Sequence, residues 1–267
     1  MKYCPRFYHH LDLGDDAGGM SFCPWIQPEY ACIGNLNYDT VEEAVHSEPA
    51  DLLRASMDDQ TFQYCSSKLC PFLQNHTLEE LSLEEYERKK CVSSVPDEIE
   101  LSCDFFHNQI YEACRDAASL PSAGCAEKIH VIYKTILPIL NQARHVSISG
   151  GGWEWDPLTS CYMMELLENL HPSSPDFHLL LETNGVFFDE EHWERIGHLS
   201  RFPVEIAVTV NSFDEFIHTY LSSAEHFRYG VPFGYRHTAR GGTYQKMLSG
   251  LEFMARLRAE KKISCLS

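Results

Sequence analysis

Residues 145–182 read HVSISGGGWEWDPLTSCYMMELLENLHPSSPDFHLLLE, and this stretch decides the fold class. The pattern predicts a strand from His145 to Ser149, a helix from Leu158 to Leu170 and a second strand from His178 to Glu182. A strand, a helix and another strand in this order form the crossover unit of a parallel sheet. The sequence therefore predicts an α/β fold.

The same alternation continues on both sides of this stretch. Further strands are predicted at Glu98 to Cys103 and Val204 to Val210, and further helices at Glu127 to Asn141, Glu190 to Leu199 and Thr243 to Arg258. A fifth strand is predicted to begin at Ile263, close to the last residue, Ser267. We expect a parallel sheet with helices packed against it.

The N-terminal part of the sequence differs from this pattern. Residues 1–73 are rich in turns and contain one clear helix signal, a capping box in which Thr40 is followed by Glu43. Residues 74–94 are polar and acidic, which is typical of a solvated linker helix. The sequence thus predicts a small N-terminal module, a linker, and an α/β domain over residues 95–267.

Composition excludes several classes of function. The 267 residues include 39 acidic and 21 basic side chains, so the formal net charge is -18. A surface of this sign repels phosphate backbones and anionic lipids, so we expect neither a nucleic acid partner nor a membrane partner. The first ten residues have no apolar run of signal-peptide length, and we expect a cytoplasmic protein.

Eleven cysteines in a cytoplasmic protein suggest packing, catalysis or metal binding, because thiols there are kept reduced. Five of them lie in the N-terminal module, and the candidate metal ligands are four of these: Cys4, Cys23, Cys65 and Cys70. Four thiolates suit an iron–sulfur cluster or a structural zinc ion. Because the sequence contains no CxxC pair among them, ordinary buried thiols are a third interpretation. From the residues alone, these three interpretations remain open.

The N-terminal module resembles a known family. The segments GNL at 34–36, VEE at 41–43, RASMDD at 54–59 and CSSKLCPF at 65–72 resemble the SPASM-type module of radical S-adenosylmethionine proteins that have this module at the N-terminus. The resemblance implies one auxiliary 4Fe–4S cluster. Its implied ligands are Cys4, Cys23, Cys65 and Cys70, with Cys32 as an alternative to Cys23.

A second segment, CDFFHNQIYEACR at 103–115, resembles the loop that binds the catalytic cluster in this family. Asn108, Cys114 and Arg115 match the family pattern, whereas His107 and Tyr111 stand where the pattern has thiolates. Imidazole ligands raise the reduction potential of a cluster, which opposes reduction of a sulfonium. We therefore expect that this loop does not support cleavage of S-adenosylmethionine, and we assign no catalytic residue.

A third segment, SGGGWE at 149–154, follows a predicted strand and resembles the glycine-rich segment that contacts the methionyl group of the cofactor. The segment ETNG at 182–185 resembles the family's third strand. If S-adenosylmethionine binds, the resemblance implies that its site includes the following residues: Gly150, Gly151, Gly152, Glu154 and Asn184. Ligands also bind at the carboxyl ends of parallel strands in general.

The resemblance implies an incomplete (β/α) barrel joined to a small cysteine-rich module. We expect a degenerate member of the family that binds one cluster and acts as a peptide-binding or partner subunit, with an open barrel edge that a second copy, a partner chain or a local segment covers. The alternative is an active metalloenzyme or radical enzyme that modifies a peptide, with an unusual metal site at His107, Tyr111 and Cys114.

Overall fold

The computed structural model describes residues 1–13, 18–101, 123–149, 156–210, 212–217 and 241–267. Within these ranges, the largest unit is a six-stranded sheet, accompanied by two sheets of two strands each. The small sheets and most of the short helices belong to the first 90 residues.

Secondary structure in these ranges is numbered along the chain. The strands are β1 (Lys2–Tyr3), β2 (His10–Leu13), β3 (Gly19–Met20), β4 (Gly34–Asn35), β5 (Glu79–Glu80), β6 (Glu98–Leu101), β7 (His145–Ile148), β8 (His178–Thr183), β9 (Val204–Val208) and β10 (Cys265–Leu266). The helices are α1 (Arg6–His9), α2 (Pro28–Ala31), α3 (Val41–Val45), α4 (Glu48–Asp58), α5 (Pro71–Gln74), α6 (Leu83–Lys89), α7 (Ala123–Leu140), α8 (Cys161–Glu168), α9 (Glu190–Ile196) and α10 (Gly241–Ala259). Two 3-10 helices, Pro157–Thr159 and Gly197–Arg201, lie before α8 and after α9.

The large sheet has the strand order β2, β6, β7, β8, β9, β10, and every neighbouring pair is parallel. Each of its strands therefore lies beside the next one along the chain. Right-handed crossovers between such strands place the connecting helices on one face of the sheet. The structure confirms the predicted α/β fold.

The two faces of the sheet differ in chemistry because successive side chains of a strand point to opposite faces. One face is apolar and buried, and its residues form the core with the helices. These residues are Leu11, Leu13, Ile99, Leu101, Val146, Ile148, Leu179, Leu181, Val204 and Ile206. The other face has polar and charged side chains.

The N-terminal region contributes the first strand of this sheet, which the sequence analysis did not predict. Strand β2 pairs with β6 in parallel, with His10 opposite Glu98 and Leu13 opposite Leu101. Leu13 is buried in the common core. The first 73 residues and the later strands thus share one sheet.

The other edge of the sheet is formed by β10. The predicted fifth strand near Ile263 is present as the two residues Cys265 and Leu266, which pair with β9 in parallel. The backbone N–H of Val208 also donates to the carbonyl oxygen of Ser267 at 2.9 Å. A local segment therefore covers the edge of β9 that the sequence left open.

The predicted helices are present, and their ends follow local capping signals. Thr40 accepts a hydrogen bond from the backbone of Glu43, whose side chain accepts one from Thr40, which confirms the predicted capping box. Ser160 and Asp189 cap α8 and α9 in the same way through their side-chain oxygens. Within the described ranges, none of the helices combines the length and the apolar character needed to cross a membrane.

The acidic segment that was interpreted as a linker contains α6, and one residue anchors it. Tyr86 is fully buried. Its hydroxyl donates to Asp58 Oδ1 at 2.9 Å and lies 3.3 Å from the hydroxyl of Tyr8. Apart from the exposed Leu83, the other side chains of α6 are charged, and most of them are exposed, as predicted.

Candidate functional site

Four cysteines from separate segments of the N-terminal region form the candidate site. Cys4 lies between β1 and α1, Cys23 lies in the loop after β3, Cys65 lies in a turn after α4, and Cys70 directly precedes α5. Cys23 and Cys70 are buried, Cys4 and Cys65 are half-buried, and all four have free thiols. We call these residues the cysteine site.

Backbone hydrogen bonds position the loops of the cysteine site. The N–H of Ser66 donates to the carbonyl oxygen of Trp25 at 2.9 Å, which holds the turn of Cys65 against the loop of Cys23. The N–H of Cys70 donates to the carbonyl oxygen of Ser66 at 2.9 Å. Three of the four cysteines are therefore fixed by one continuous set of main-chain contacts.

The thiols of the cysteine site lie close enough to affect one another electrostatically. Burial, followed by the charges of Cys4 and Cys70, raises the pKa of Cys65 to about 12. Burial also raises the pKa of Cys23 to about 12, and Cys4 and Cys70 add to this effect. Burial raises the pKa of Cys4 too. Without a cation, these thiols hold their protons at neutral pH.

Arg6 supplies a positive charge beside the cysteine site. Its backbone N–H donates to Cys4, and its guanidinium lowers the pKa values of Cys4 and Cys23, against the larger effect of burial. The guanidinium lies 4.8 Å from the ring centroid of Trp25, which fixes it by a cation–π contact. A positive group near thiolates stabilises their charged form, which is the form that binds metal.

The spacing of the thiols bears on the kind of metal that they could hold. A single zinc ion needs four sulfur atoms about 3.8 Å apart, because the Zn–S bonds of a tetrahedral site are about 2.3 Å long. Among the described residues, which include all four thiols, no three His, Cys, Asp or Glu side chains converge on one ion. In a 4Fe–4S cluster each thiolate binds a different iron, so its ligands stand farther apart. Four cysteines are the ligand set that such a cluster takes.

Cys32, the alternative to Cys23 in the sequence analysis, lies in a different environment. It is exposed, and its thiol donates to the carbonyl oxygen of Gly34 at 3.4 Å. The structure thus places Cys23, rather than Cys32, in electrostatic contact with Cys4 and Cys70.

Most of the expected cofactor-binding residues lie outside the described residues. These are Gly150, Gly151, Gly152 and Glu154, together with the whole segment 103–115 that includes His107, Tyr111 and Cys114. Asn184 is described and directly follows β8. Its Oδ1 accepts a hydrogen bond from the N–H of Val186 at 3.1 Å. Its Nδ2 is buried and has no hydrogen-bond partner in the described part of the chain.

The sequence analysis missed Asp156, the central polar residue at this end of the sheet. Its carboxylate is buried and accepts three hydrogen bonds, from the hydroxyl of Thr183 at 2.6 Å and from the N–H groups of Asn184 at 2.8 Å and Leu158 at 2.9 Å. Burial raises its pKa. An aspartate before Pro157, a proline at the first position of a helical turn, was the available signal.

Comparisons with known proteins identify no relative. No protein-family model, no curated protein and no solved structure matches this chain. Its function must therefore be inferred from its own residues, of which the cysteine site has the most specific chemistry.

Proposed function

We propose that this chain is a radical S-adenosylmethionine-like protein that binds one auxiliary 4Fe–4S cluster at the cysteine site and acts as a peptide-binding or partner subunit without cleaving S-adenosylmethionine. The observation that best supports the cluster is that four free thiols from three segments lie near one another, with Cys4 and Cys70 close enough to raise the pKa values of both Cys23 and Cys65. Cysteines that only pack in a core as small apolar residues are not required to lie close to one another. When bound, the cluster would supply a redox centre or a structural tie.

The sheet supports a barrel-like architecture for the rest of the chain. Six parallel strands in the order of the chain, with crossovers between them, match the arrangement of consecutive strands in a (β/α) barrel. Asp156 and Asn184 lie where such folds bind ligands, at the carboxyl ends of the strands. An incomplete barrel with an N-terminal cluster module is the architecture that the resemblance implies.

The absence of cofactor cleavage is proposed from the sequence. His107 and Tyr111 stand where the family pattern has two of its three thiolates. A cluster with imidazole or phenolate ligands would have a higher reduction potential, and reduction of the sulfonium would be less favourable. An active enzyme that uses His107, Tyr111 and Cys114 as an unusual metal site remains the competing proposal, and the metal content distinguishes the two.

The first experiment is purification without oxygen, followed by measurement of iron, sulfide and zinc per chain and of the visible spectrum. About four iron and four sulfide per chain, with broad absorbance near 400 nm, are expected for one cluster. About eight iron would favour the enzyme proposal. One zinc per chain in a colourless protein would mean that the site holds a structural zinc ion and not a cluster, which would overturn the proposal.

Three cysteine variants test where the metal binds. Cys70→Ser should lose most of its iron, whereas Cys91→Ser, at an exposed cysteine, should keep it. Cys114→Ala should keep all of its iron under the proposal and lose half of it if the loop binds a second cluster. Formation of 5'-deoxyadenosine by the reduced protein would contradict the proposed loss of cofactor cleavage.

A further inference from the structure

The face of the large sheet opposite the core is strongly acidic. We call it the polar face, and it consists of these side chains on β2, β6, β7, β8 and β9: His10, Asp12, Glu98, Glu100, His145, Ser147, His178, Leu180, Glu182, Glu205 and Ala207. Parallel sheets are usually covered on both faces by apolar contacts. Charged side chains on the second face indicate a surface that meets a polar partner.

Imidazoles and carboxylates lie side by side across this face. His10 Nδ1 lies 3.6 Å from Glu98 Oε2, and His178 Nε2 lies 3.9 Å from Glu205 Oε2. The rings of His145 and His178 lie 5.7 Å apart on neighbouring strands. The row therefore runs from β2 to β9, which is about 19 Å at about 4.8 Å per strand.

Negative charge on the polar face exceeds positive charge. Glu100 pairs with Arg6 at 3.8 Å. The Glu98 side chain is 55% exposed. Loss of solvent around the carboxylate of Glu182, followed by the negative charge of Glu100, raises the pKa of Glu182. A cationic group beside these carboxylates would relieve their repulsion.

At one end of the face, a buried histidine has one ring nitrogen without a hydrogen bond of ordinary length. His10 is only 5% exposed, and its Nε2 lies 2.9 Å from Nη1 of Arg6. A guanidinium can only donate, so Nε2 accepts and the neutral ring has its proton on Nδ1. Among the described residues this Nδ1 makes no hydrogen bond of ordinary length, and its contact with the Glu98 carboxylate, at 3.6 Å, is a long one. An unsatisfied buried donor suits an incoming acceptor.

Asn184 has a second polar atom of this kind, beside the face rather than on it. It lies beyond the carboxyl end of β8, and its buried Nδ2 has no partner among the described residues. A row of carboxylates suits a ligand with several positive charges, and a peptide with basic side chains is such a ligand.

We propose that the polar face binds an extended basic peptide segment. The lysine or arginine side chains of the peptide meet Glu98, Glu100, Glu182 and Glu205. About six extended residues span 19 Å at about 3.3 Å per residue, whereas a single amino acid covers only one carboxylate. This proposal rests on the peptide-binding role in the proposed function and specifies the class of peptide. It does not depend on the metal.

The test is calorimetric titration of the full-length protein at 150 mM salt with a seven-residue peptide of alternating lysine and alanine, blocked at both ends. The double variant Glu100→Gln with Glu182→Gln should weaken binding by about tenfold, since each half-exposed ion pair contributes up to about 1 kcal/mol. The control is Glu84→Gln with Glu252→Gln, which removes the same charge from two exposed helix positions. It should change the affinity by less than about twofold.

Three results would overturn the proposal. They are equal weakening by the control variant, equal binding of the same peptide with glutamate in place of lysine, and equal affinity for free lysine. The single variant Glu182→Gln, at an exposed side chain, tests the site if the double variant does not fold. Iron content is measured on the same samples, so loss of peptide binding with iron retained separates failure of this proposal from failure of the cluster.

Discussion

At the scale of single residues, Cys23 and Cys65 are protonated thiols without metal and deprotonated thiolates when they bind metal. Burial holds the protons on Cys23 and Cys65 by raising their pKa values to about 12. A bound metal removes those protons, because only the thiolate is a ligand. The charge state of the site, and with it the pH dependence of stability, should therefore reverse when metal binds.

We predict that the metal-free protein loses stability as pH rises from about 9 to about 12. A folded-state pKa above the unfolded value means that the folded thiol binds its proton more tightly, and this advantage is lost as the unfolded thiol ionises. At pH 10.5 the loss is up to about 2 kcal/mol for the buried Cys23, from 1.36 kcal/mol per pH unit above the unfolded pKa, and it is smaller for the half-buried Cys65, because solvent screens its charge. Urea unfolding at pH 7.5 and 10.5 measures it.

The variant Cys23→Ala with Cys65→Ala is the control for this prediction. Tyrosines with raised pKa values, such as Tyr3, also contribute above pH 10, and they are present in both proteins. The variant should lose less stability than the wild type between the two pH values. Equal losses would mean that the buried thiols do not have the assigned pKa values. The metal-bound protein should instead lose stability on acidification, as protons displace the metal.

Asp156 shows why a residue of this kind is hard to predict from sequence. One aspartate before a proline is a common helix start, and nothing local shows that Thr183 and Asn184, 27 and 28 residues later, donate to the same carboxylate. The four cysteines were easier to select, because their residue type is rare and their segments resemble a known module. Their burial and mutual contacts still required the structure.

At the scale of elements, four of the six strands of the sheet were predicted at nearly their observed bounds. The strands β6, β7, β8 and β9 have apolar residues at every second position, and helices separate them. The strand β2 has the same alternation as β6 and β7, but it was missed because it lies in the turn-rich N-terminal segment and no crossover helix signal directly follows it. Its partner β6 lies 88 residues later, with His10 opposite Glu98, and local patterns contain no information about such a pairing.

The contact between α10 and the turn after β8 depends on two glycines. A Cβ atom on Gly250 would overlap with the carbonyl oxygen of Gly185, which is backbone and cannot move aside. Gly185 itself has a φ of +78°, which favours glycine. The helix can approach the turn this closely because Gly250 has no side chain, and the turn itself requires glycine at position 185 because of its positive φ.

We predict that Gly250→Ala destabilises the protein by about 2 to 3 kcal/mol, although alanine favours helices over glycine by about 1 kcal/mol. Chemical denaturation measures the change. Gly197→Ala is the matched control, because its Cβ would meet the ring of Trp193 at an ordinary 3.4 Å. A stabilised Gly250→Ala variant would show that α10 does not lie this close to the turn.

At the scale of the whole molecule, the N-terminal region and the later α/β region share one sheet. Arg6 connects the cysteine site to the polar face, since it lies beside Cys4 and pairs with His10 and Glu100. The strand β2 completes the apolar core through Leu11 and Leu13, whose exposed fractions are at most 1%. We therefore expect the two regions to depend on each other for stability, even though the sequence suggests a boundary at residue 95.

We predict that residues 95–267 expressed alone do not form a stable monomer. Removal of β2 leaves the main-chain groups of β6 unpaired and uncovers the apolar side chains of Ile99 and Leu101. An open parallel edge of this kind promotes association. Size-exclusion chromatography with light scattering should find the fragment aggregated or oligomeric, whereas co-expression with residues 1–94 should restore a soluble complex, because β2 can then pair in trans. A monomeric fragment that unfolds cooperatively by itself would mean instead that the sheet needs only its later strands, and that the first 94 residues are a separate module attached to a complete fold.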